Sequence, residues 1–198
     1  MDNIKPRRRK KLVQGVGIND GNCQVYRQDL TSPNKICPFY RKWVDMLVRC
    51  YNEKFKAMHP SYMNCTVCEE WLLFSNFKAW METQDWEGKD LDKDLIVPGN
   101  RVYSPDACVF VNQMVNKFVI DCLASRGEWP IGVYWAKHAN KFLAYCNDPF
   151  SNKRKHLGYH DSPEEAHLAW LKCKREFSIL LAEQQDNPRV AEALLKRY

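Results

Sequence analysis

The chain has 198 residues, enough for one large domain or two small ones, each with a modest core. Hydrophobic residues make up 45% and aromatic residues 13%, with seven tryptophans, which excludes a wholly disordered chain. The net charge is +6, and the run Lys5-Pro6-Arg7-Arg8-Arg9-Lys10-Lys11 carries as much by itself, so the rest of the chain is neutral overall.

That neutral remainder is segregated. Between Glu69 and Asp106 nine acidic residues stand against four basic ones, whereas between Gly132 and His160 five basic residues stand against Asp148 alone. Basic segments draw phosphate backbones by releasing condensed counterions. The N-terminal run, with Arg7, Arg8 and Arg9, is therefore a candidate nucleic-acid contact; the alternatives are a solubilising arm or a nuclear-localisation-like run. No stretch approaches the ~18 apolar residues that span a membrane, and no apolar stretch follows the N-terminal charges as in a signal peptide. The nine cysteines are thus expected as reduced thiols in a cytoplasm, mostly buried. Cys65-Thr66-Val67-Cys68 is the one CxxC, and no second pair stands at finger spacing, so no zinc is expected.

Residues 1–36 read as tail and loop, punctuated by Gly15, Gly17, Asn19 and Gly21. Pro38 opens a helix in which Phe39, Trp43, Met46, Leu47 and Cys50 share a face. Ser75 is placed to cap a second helix from Asn76 to about Gln84. Leu91 to Val97 reads as a strand that turns at Pro98-Gly99-Asn100 and returns at Arg101 to Tyr103 as a hairpin. A short apolar strand at Cys108 to Val111 precedes a helix from about Asn112 to Leu123. After a linker come three strands, Gly132 to Lys137, Lys141 to Asn147 and Arg154 to Tyr159. Ser162-Pro163-Glu164-Glu165 is a strong helix start, with a capping residue, a first-turn proline and first-turn acids. The helix continues with Ala166, Trp170, Cys173, Phe177 and Leu180 as its apolar stripe, which needs a flat partner such as the three strands. Asn187-Pro188 starts a final helix.

Lys141, Leu143 and Tyr145 alternate onto one face of their strand, a mixture of charge and ring suited to phosphates and sugars. The passages Gly132-Val133-Tyr134-Trp135, Lys141-Phe142-Leu143-Ala144-Tyr145 and Leu157-Gly158-Tyr159-His160-Asp161-Ser162-Pro163-Glu164-Glu165-Ala166 together resemble the Apetala/ethylene-response DNA-binding domain, over about 50 residues. The resemblance implies a sheet lying in the major groove of double-stranded DNA, with Trp135, Lys137, Lys141, Tyr145 and Arg154 as contacts; Lys153 and Lys155, from the basic segment, are further candidate DNA contacts. Tyr134-Trp135 stands where the family often carries an arginine. A sheet-and-helix module used for protein contacts is the alternative.

Upstream, Phe39-Tyr40-Arg41-Lys42-Trp43, Thr66-Val67-Cys68-Glu69-Glu70-Trp71, Leu91-Asp92-Lys93-Asp94 and Tyr103-Ser104-Pro105-Asp106-Ala107-Cys108 resemble the HNH endonuclease-like proteins of tailed phages. Such a site cleaves phosphodiesters with one divalent ion, Mg2+ or Mn2+. Carried over, the resemblance implies Asp92 and Asn116 as metal ligands and Asp92, Lys93 and Asp94 as the catalytic positions. Lys93 stands where the general-base histidine belongs, and Ala107 where the histidine's orienting asparagine belongs. A lysine of ordinary pKa is protonated at neutral pH and accepts no proton. Two readings stay open: a nicking or homing-type endonuclease, with Asp92, Asp94 and Asn116 binding the ion and water activated by the ion itself, or a module without catalysis that binds DNA or a host protein in the cytoplasm of a bacterial host. Asp92-Lys93-Asp94 as a solvated hairpin face with local ion pairs is the plainer alternative.

The expected architecture is α+β: a tail over 1–36, a degenerate ββα-metal (HNH-type) module over 37–124, a three-stranded antiparallel sheet packed on one helix over 131–184, and a terminal helix over 187–198.

Overall fold

The computed structural model describes residues 11–21, 36–120 and 127–198. Arg7, Arg8 and Arg9, and the last turn of the helix expected to reach Leu123, lie outside the described residues. The chain is a mixture of helix and sheet, and among the described residues the largest sheet is three-stranded and antiparallel. It divides into two compact units. The first gathers the described residues up to Glu87 with Val97–Phe110; the second gathers Gly88–Ile96 with Val111–Tyr198. The module expected over 37–124 is therefore divided between the two units.

In the first unit, α1 (Pro38–Tyr51) begins on Pro38 and buries Trp43, Met46, Leu47 and Cys50 along one side. The Trp43 indole N–H donates to the Trp71 carbonyl at 2.7 Å, which anchors α1 to the 3-10 turn Glu69–Leu72. Asn52 ends α1 and caps α2 (Glu53–Met58), its side chain accepting from the Phe55 N–H at 2.9 Å. The next helix, α3 (Phe74–Glu82), starts earlier than the Ser75 cap predicts. Starting there brings Phe74, Phe77 and Met81 onto one fully buried face. Ser75 instead donates through its N–H and its hydroxyl to the Asp20 carboxylate, at 2.9 and 2.6 Å.

The expected hairpin does not form. Strand β1 is Thr66–Val67, and β2 stops at Asp90–Asp92. Residues Val102–Tyr103 form β3, which pairs in parallel with β1, Thr66 opposite Val102 and Val67 opposite Tyr103. A side chain ends β2: Asp92 Oδ1 accepts from the N–H groups of Asp94 and Leu95, at 2.9 and 2.7 Å, and folds the chain into a turn. Tyr103 is buried in the first unit, so β3 belongs to that core.

The second unit is built on β5 (Val133–Ala136), β6 (Lys141–Asn147) and β7 (Arg154–His160), paired in that order. Asn140, at φ 52°, makes the β5–β6 turn. Across the sheet lies α5 (Pro163–Ala182), whose first turn is closed by Ser162 accepting from the Glu165 N–H at 3.1 Å. Val133, Ala144 and Ala166 form the centre of this core, with Trp129, Phe142 and Leu157 around it. The α5 stripe runs Ala166, Trp170, Cys173, Phe177, Leu181; Leu180, expected on it, is exposed. A step of four residues from Phe177 lies closer to the stripe than a step of three. Leu181 is also on the side that meets α6 (Pro188–Arg197), where Ser178 Oγ donates to the Leu194 carbonyl at 2.6 Å.

After β4 (Val109–Val111) comes α4 (Gln113–Val119), capped by Asn112 accepting from the Val115 N–H at 2.8 Å. The carbonyls at its C-terminal end are taken by cations: Lys174 Nζ donates to the Phe118 carbonyl at 2.6 Å and Arg197 to that of Val119 at 2.6 Å. Cations are favoured at a helix C-terminus by its exposed carbonyls and dipole. The Lys174 ammonium is buried over the Phe118 ring, 3.3 Å from its centroid, with Tyr198 4.7 Å away. These bonds tie α4 to the C-terminal helices of the same unit.

Candidate nucleic-acid interface and the acidic turn

The register of the sheet decides which side chains meet solvent. Val133 pairs with Ala144, Tyr134 with Leu143, Trp135 with Phe142 and Ala136 with Lys141. On the other side of β6, Leu143 pairs with Tyr159, Tyr145 with His156 and Asn147 with Arg154, with a bulge between Leu143 and Tyr145. Val133 and Ala144 face α5, so Trp135, Phe142 and Cys146 share that side. The open face then carries Tyr134, Lys141, Tyr145, Arg154, His156 and Tyr159 around a buried Leu143.

Of the predicted contacts, Lys141, Tyr145 and Arg154 are brought together on the open face. Lys137 follows β5 and Lys153 precedes β7, both exposed at the sheet's ends. Trp135 is placed elsewhere: its ring packs on Phe142 at 4.8 Å, on the helix side. Lys155, opposite Cys146, also turns that way, with its ammonium 5.5 Å from the Phe177 ring and 3.9 Å from Glu176 on α5. The reason is the two-residue period of a strand, which sends neighbours of Tyr134 and Arg154 to the opposite face.

Sequence reading missed Tyr134, His138, His156 and Tyr159. With Tyr145 they make a continuous chain of rings: Tyr134–Tyr145 at 6.0 Å, Tyr145–His156 at 5.5 Å, His156–Tyr159 at 5.3 Å and Tyr159–His138 at 5.9 Å. His138 Nε2 and the Tyr159 hydroxyl are hydrogen-bonded at 3.1 Å, and His156 Nδ1 accepts from the Gly158 N–H at 3.2 Å. The alternation that grouped Lys141 with Tyr145 would have found them, given the strand register.

Around this face the cations Lys137, Lys141, Lys153 and Arg154 outnumber the acids Asp148 and Asp161. Lys141 is paired with Asp161 at 2.9 Å, both well exposed. Asp148 is turned into its own loop, where the Ser151 hydroxyl and the N–H groups of Phe150 and Ser151 donate to it. The Ser151 bond, with those N–H groups, holds its carboxyl below the ordinary range.

The acidic turn lies in the same unit. Asp90 and Asp92 alternate onto one face of β2, with Leu91 buried on the other. Asn116 Nδ2 donates to Asp90 Oδ2 at 3.2 Å, so the helix asparagine is bonded to Asp90, a residue the sequence did not single out, and not to Asp92. Burial, and then the nearby charge of Asp94, raise the Asp92 carboxyl above its ordinary range, against the pull of the Leu95 and Asp94 N–H groups and of Lys93. Lys93 is largely buried and ion-paired with Asp94 at 3.2 Å. Ala107 is buried in the first unit. His59, the one histidine near the middle of the chain, packs against Phe55 with ring centroids 4.4 Å apart and planes inclined by 36°.

Asp90, Asp92 and Asn116 offer hard oxygen donors of the kind that Mg2+ and Mn2+ take. Among the described residues, no group of three or more His, Cys, Asp or Glu side chains is arranged to hold a metal. Among the described residues seven cysteines are free thiols, six of them buried and Cys68 half-buried. Among the described residues, no helix is long and apolar enough to cross a membrane. No protein-family model matches this chain, and no curated protein or solved structure matches it.

Proposed function

We propose that this chain is a DNA-binding protein that contacts double-stranded DNA through the open face of β5–β7. The observation that carries this reading is the sorting of the sheet: one face is closed by α5, while the other collects Lys141, Tyr145 and Arg154, with Lys137 and Lys153 at its ends. Cations bind phosphates without regard to sequence, and exposed rings pack on sugars and bases. A labelled duplex titrated with the full chain is expected to shift, with an affinity that falls as salt rises. Arg154→Ala should weaken binding and lower the slope of log affinity against log salt by about 1, the signature of one lost phosphate contact. An unchanged slope would remove Arg154 from the interface.

A second reading is favoured by one further observation, the hydrogen bond that draws Asn116 to the face of β2 carrying Asp90 and Asp92. In this reading the protein is an HNH-type nuclease. Asp92 and Asn116 hold Mg2+ or Mn2+, with Asp90 fixing the Asn116 amide. The ion when bound supplies water activation and neutralises charge building on the phosphate. Lys93, buried and paired with Asp94, stands in place of the histidine and leaves water without a protein base. Supercoiled plasmid incubated with the protein and Mg2+ or Mn2+ is then nicked, and Asp92→Ala abolishes nicking. Intact plasmid with a retained duplex shift would leave DNA binding alone as the function; neither signal would favour a protein partner.

A further inference from the structure

We infer that the open face of β5–β7 takes unpaired bases, so that the DNA this protein prefers carries a single-stranded overhang, gap or flap beside a duplex. The inference rests on the reading that this face binds DNA, and it names the kind of DNA.

The face is richer in rings than in cations. Tyr134, Tyr145, His156, Tyr159 and His138 follow one another across all three strands and the β5–β6 turn. Successive ring planes are inclined by 66°, 81°, 64° and 86°, so the rings brace one another edge to face. Edge-to-face contacts of this kind are favourable and hold the rings in place before any ligand arrives. Tyr134 and Tyr159 remain 49% and 43% exposed, so their surfaces are available despite the bracing.

In a duplex, bases stack on one another and show only their edges in the grooves. A tyrosine can touch those edges but cannot stack on them. An unpaired base offers its whole face, and stacking on an aromatic side chain is worth roughly tenfold in affinity per base. The cations stand where a backbone could follow the rings: Lys137 at one end of β5, Lys141 across from Ala136, and Arg154 at the start of β7. Asp148 is held in its own loop by Ser151, and Asp161, paired with Lys141 at 2.9 Å, is the carboxylate a phosphate would displace there. The arrangement is a stacking surface with a positive rim, which suits a strand whose bases point at the sheet.

The test is fluorescence anisotropy of the full chain with two labelled probes, a blunt duplex and the same duplex with a thymidine overhang. The overhang probe is expected to bind about tenfold more tightly. Tyr134→Ala and Tyr159→Ala should each weaken the overhang probe more than the blunt duplex and so remove most of that preference, whereas Tyr134→Phe and Tyr159→Phe keep it because the ring remains. Arg154→Ala should weaken both probes alike. Equal binding of the two probes overturns the inference, as does an equal loss on both from the alanine changes. If Arg154→Ala weakens both while no overhang preference exists, only this inference falls. If neither Arg154→Ala nor ring removal changes any binding, the face is not the DNA contact and the underlying reading falls with it. Thermal melts of the variants separate lost contacts from lost fold, since both tyrosines are surface residues.

Discussion

Gly132→Ala is expected to destabilise the second unit by about 3 kcal/mol or more. Gly132 has φ 83°, and a Cβ built there would lie 2.1 Å from Trp170 Cδ1 and 2.3 Å from Cγ. The indole has little room to retreat: it is 6% exposed, stacked on His167 at 5.4 Å and held edge-on by Tyr198 at 5.9 Å. The backbone is equally tied, because the Gly132 carbonyl accepts from the Tyr145 N–H at 2.9 Å, at the entry to β5. Gly99→Ala is the control. Gly99 has φ 78° but open space around the missing Cβ, so only the left-handed backbone is penalised, at about 1 kcal/mol. Chemical denaturation of the two variants, with amide exchange of β5 and β6, measures the difference. If Gly132→Ala costs no more than Gly99→Ala, the close approach of β5 to Trp170 is not what holds this glycine.

The parts legible in the sequence are those fixed by neighbours in the chain. The Ser162 cap, its first-turn proline and acids, and the turn residues around Asn140 specify α5 and the three strands without reference to distant residues. The hairpin expected over residues 91–103 fails for the opposite reason. Pro98-Gly99-Asn100 is a real turn signal, but β3 finds its partner in β1, far earlier in the chain, and Asp92 spends its carboxylate on the turn that ends β2. Neither choice leaves a mark in local periodicity.

The candidate sites divide in the same way. Basic residues between Gly132 and His160 mark a segment, yet the face each residue takes depends on register, and a slip of one residue exchanges the two faces. That is why Trp135 and Lys155 are placed towards α5 while Tyr134 and Tyr159 reach the open side. In the acidic turn, Asp90 was invisible because its role comes from Asn116, on a helix that follows another strand. The spacing of Asp90 and Asp92, two residues apart on a strand, was the one local sign that both carboxylates share a face.

Replacing Trp43 tests the first unit in the same physical terms. Trp43 is fully buried, its ring lies 5.4 Å from Phe74 and 5.7 Å from Tyr40, and its indole N–H supplies the hydrogen bond to the Trp71 carbonyl. The backbone at Gly17 packs so close to it that a Cβ there would stand 2.9 Å from the indole ring. Trp43→Ala removes the ring from a dense core and is expected to cost about 4 kcal/mol, the cavity adding to the lost transfer energy. Trp43→Phe keeps much of the volume and loses the donor, leaving the buried Trp71 carbonyl short of a partner, and is expected to cost about 2 kcal/mol. The segment at Gly17 should respond first, because it rests on the ring and is joined to the rest of the unit by the Ile18 N–H to Leu72 carbonyl bond at 2.8 Å and the Phe74 N–H to Ile18 carbonyl bond at 3.0 Å. Amide exchange at Ile18 and Phe74 should therefore accelerate in both variants, and more in Trp43→Ala. Equal stabilities for the two would mean that the indole hydrogen bond, and not the filled volume, accounts for the residue.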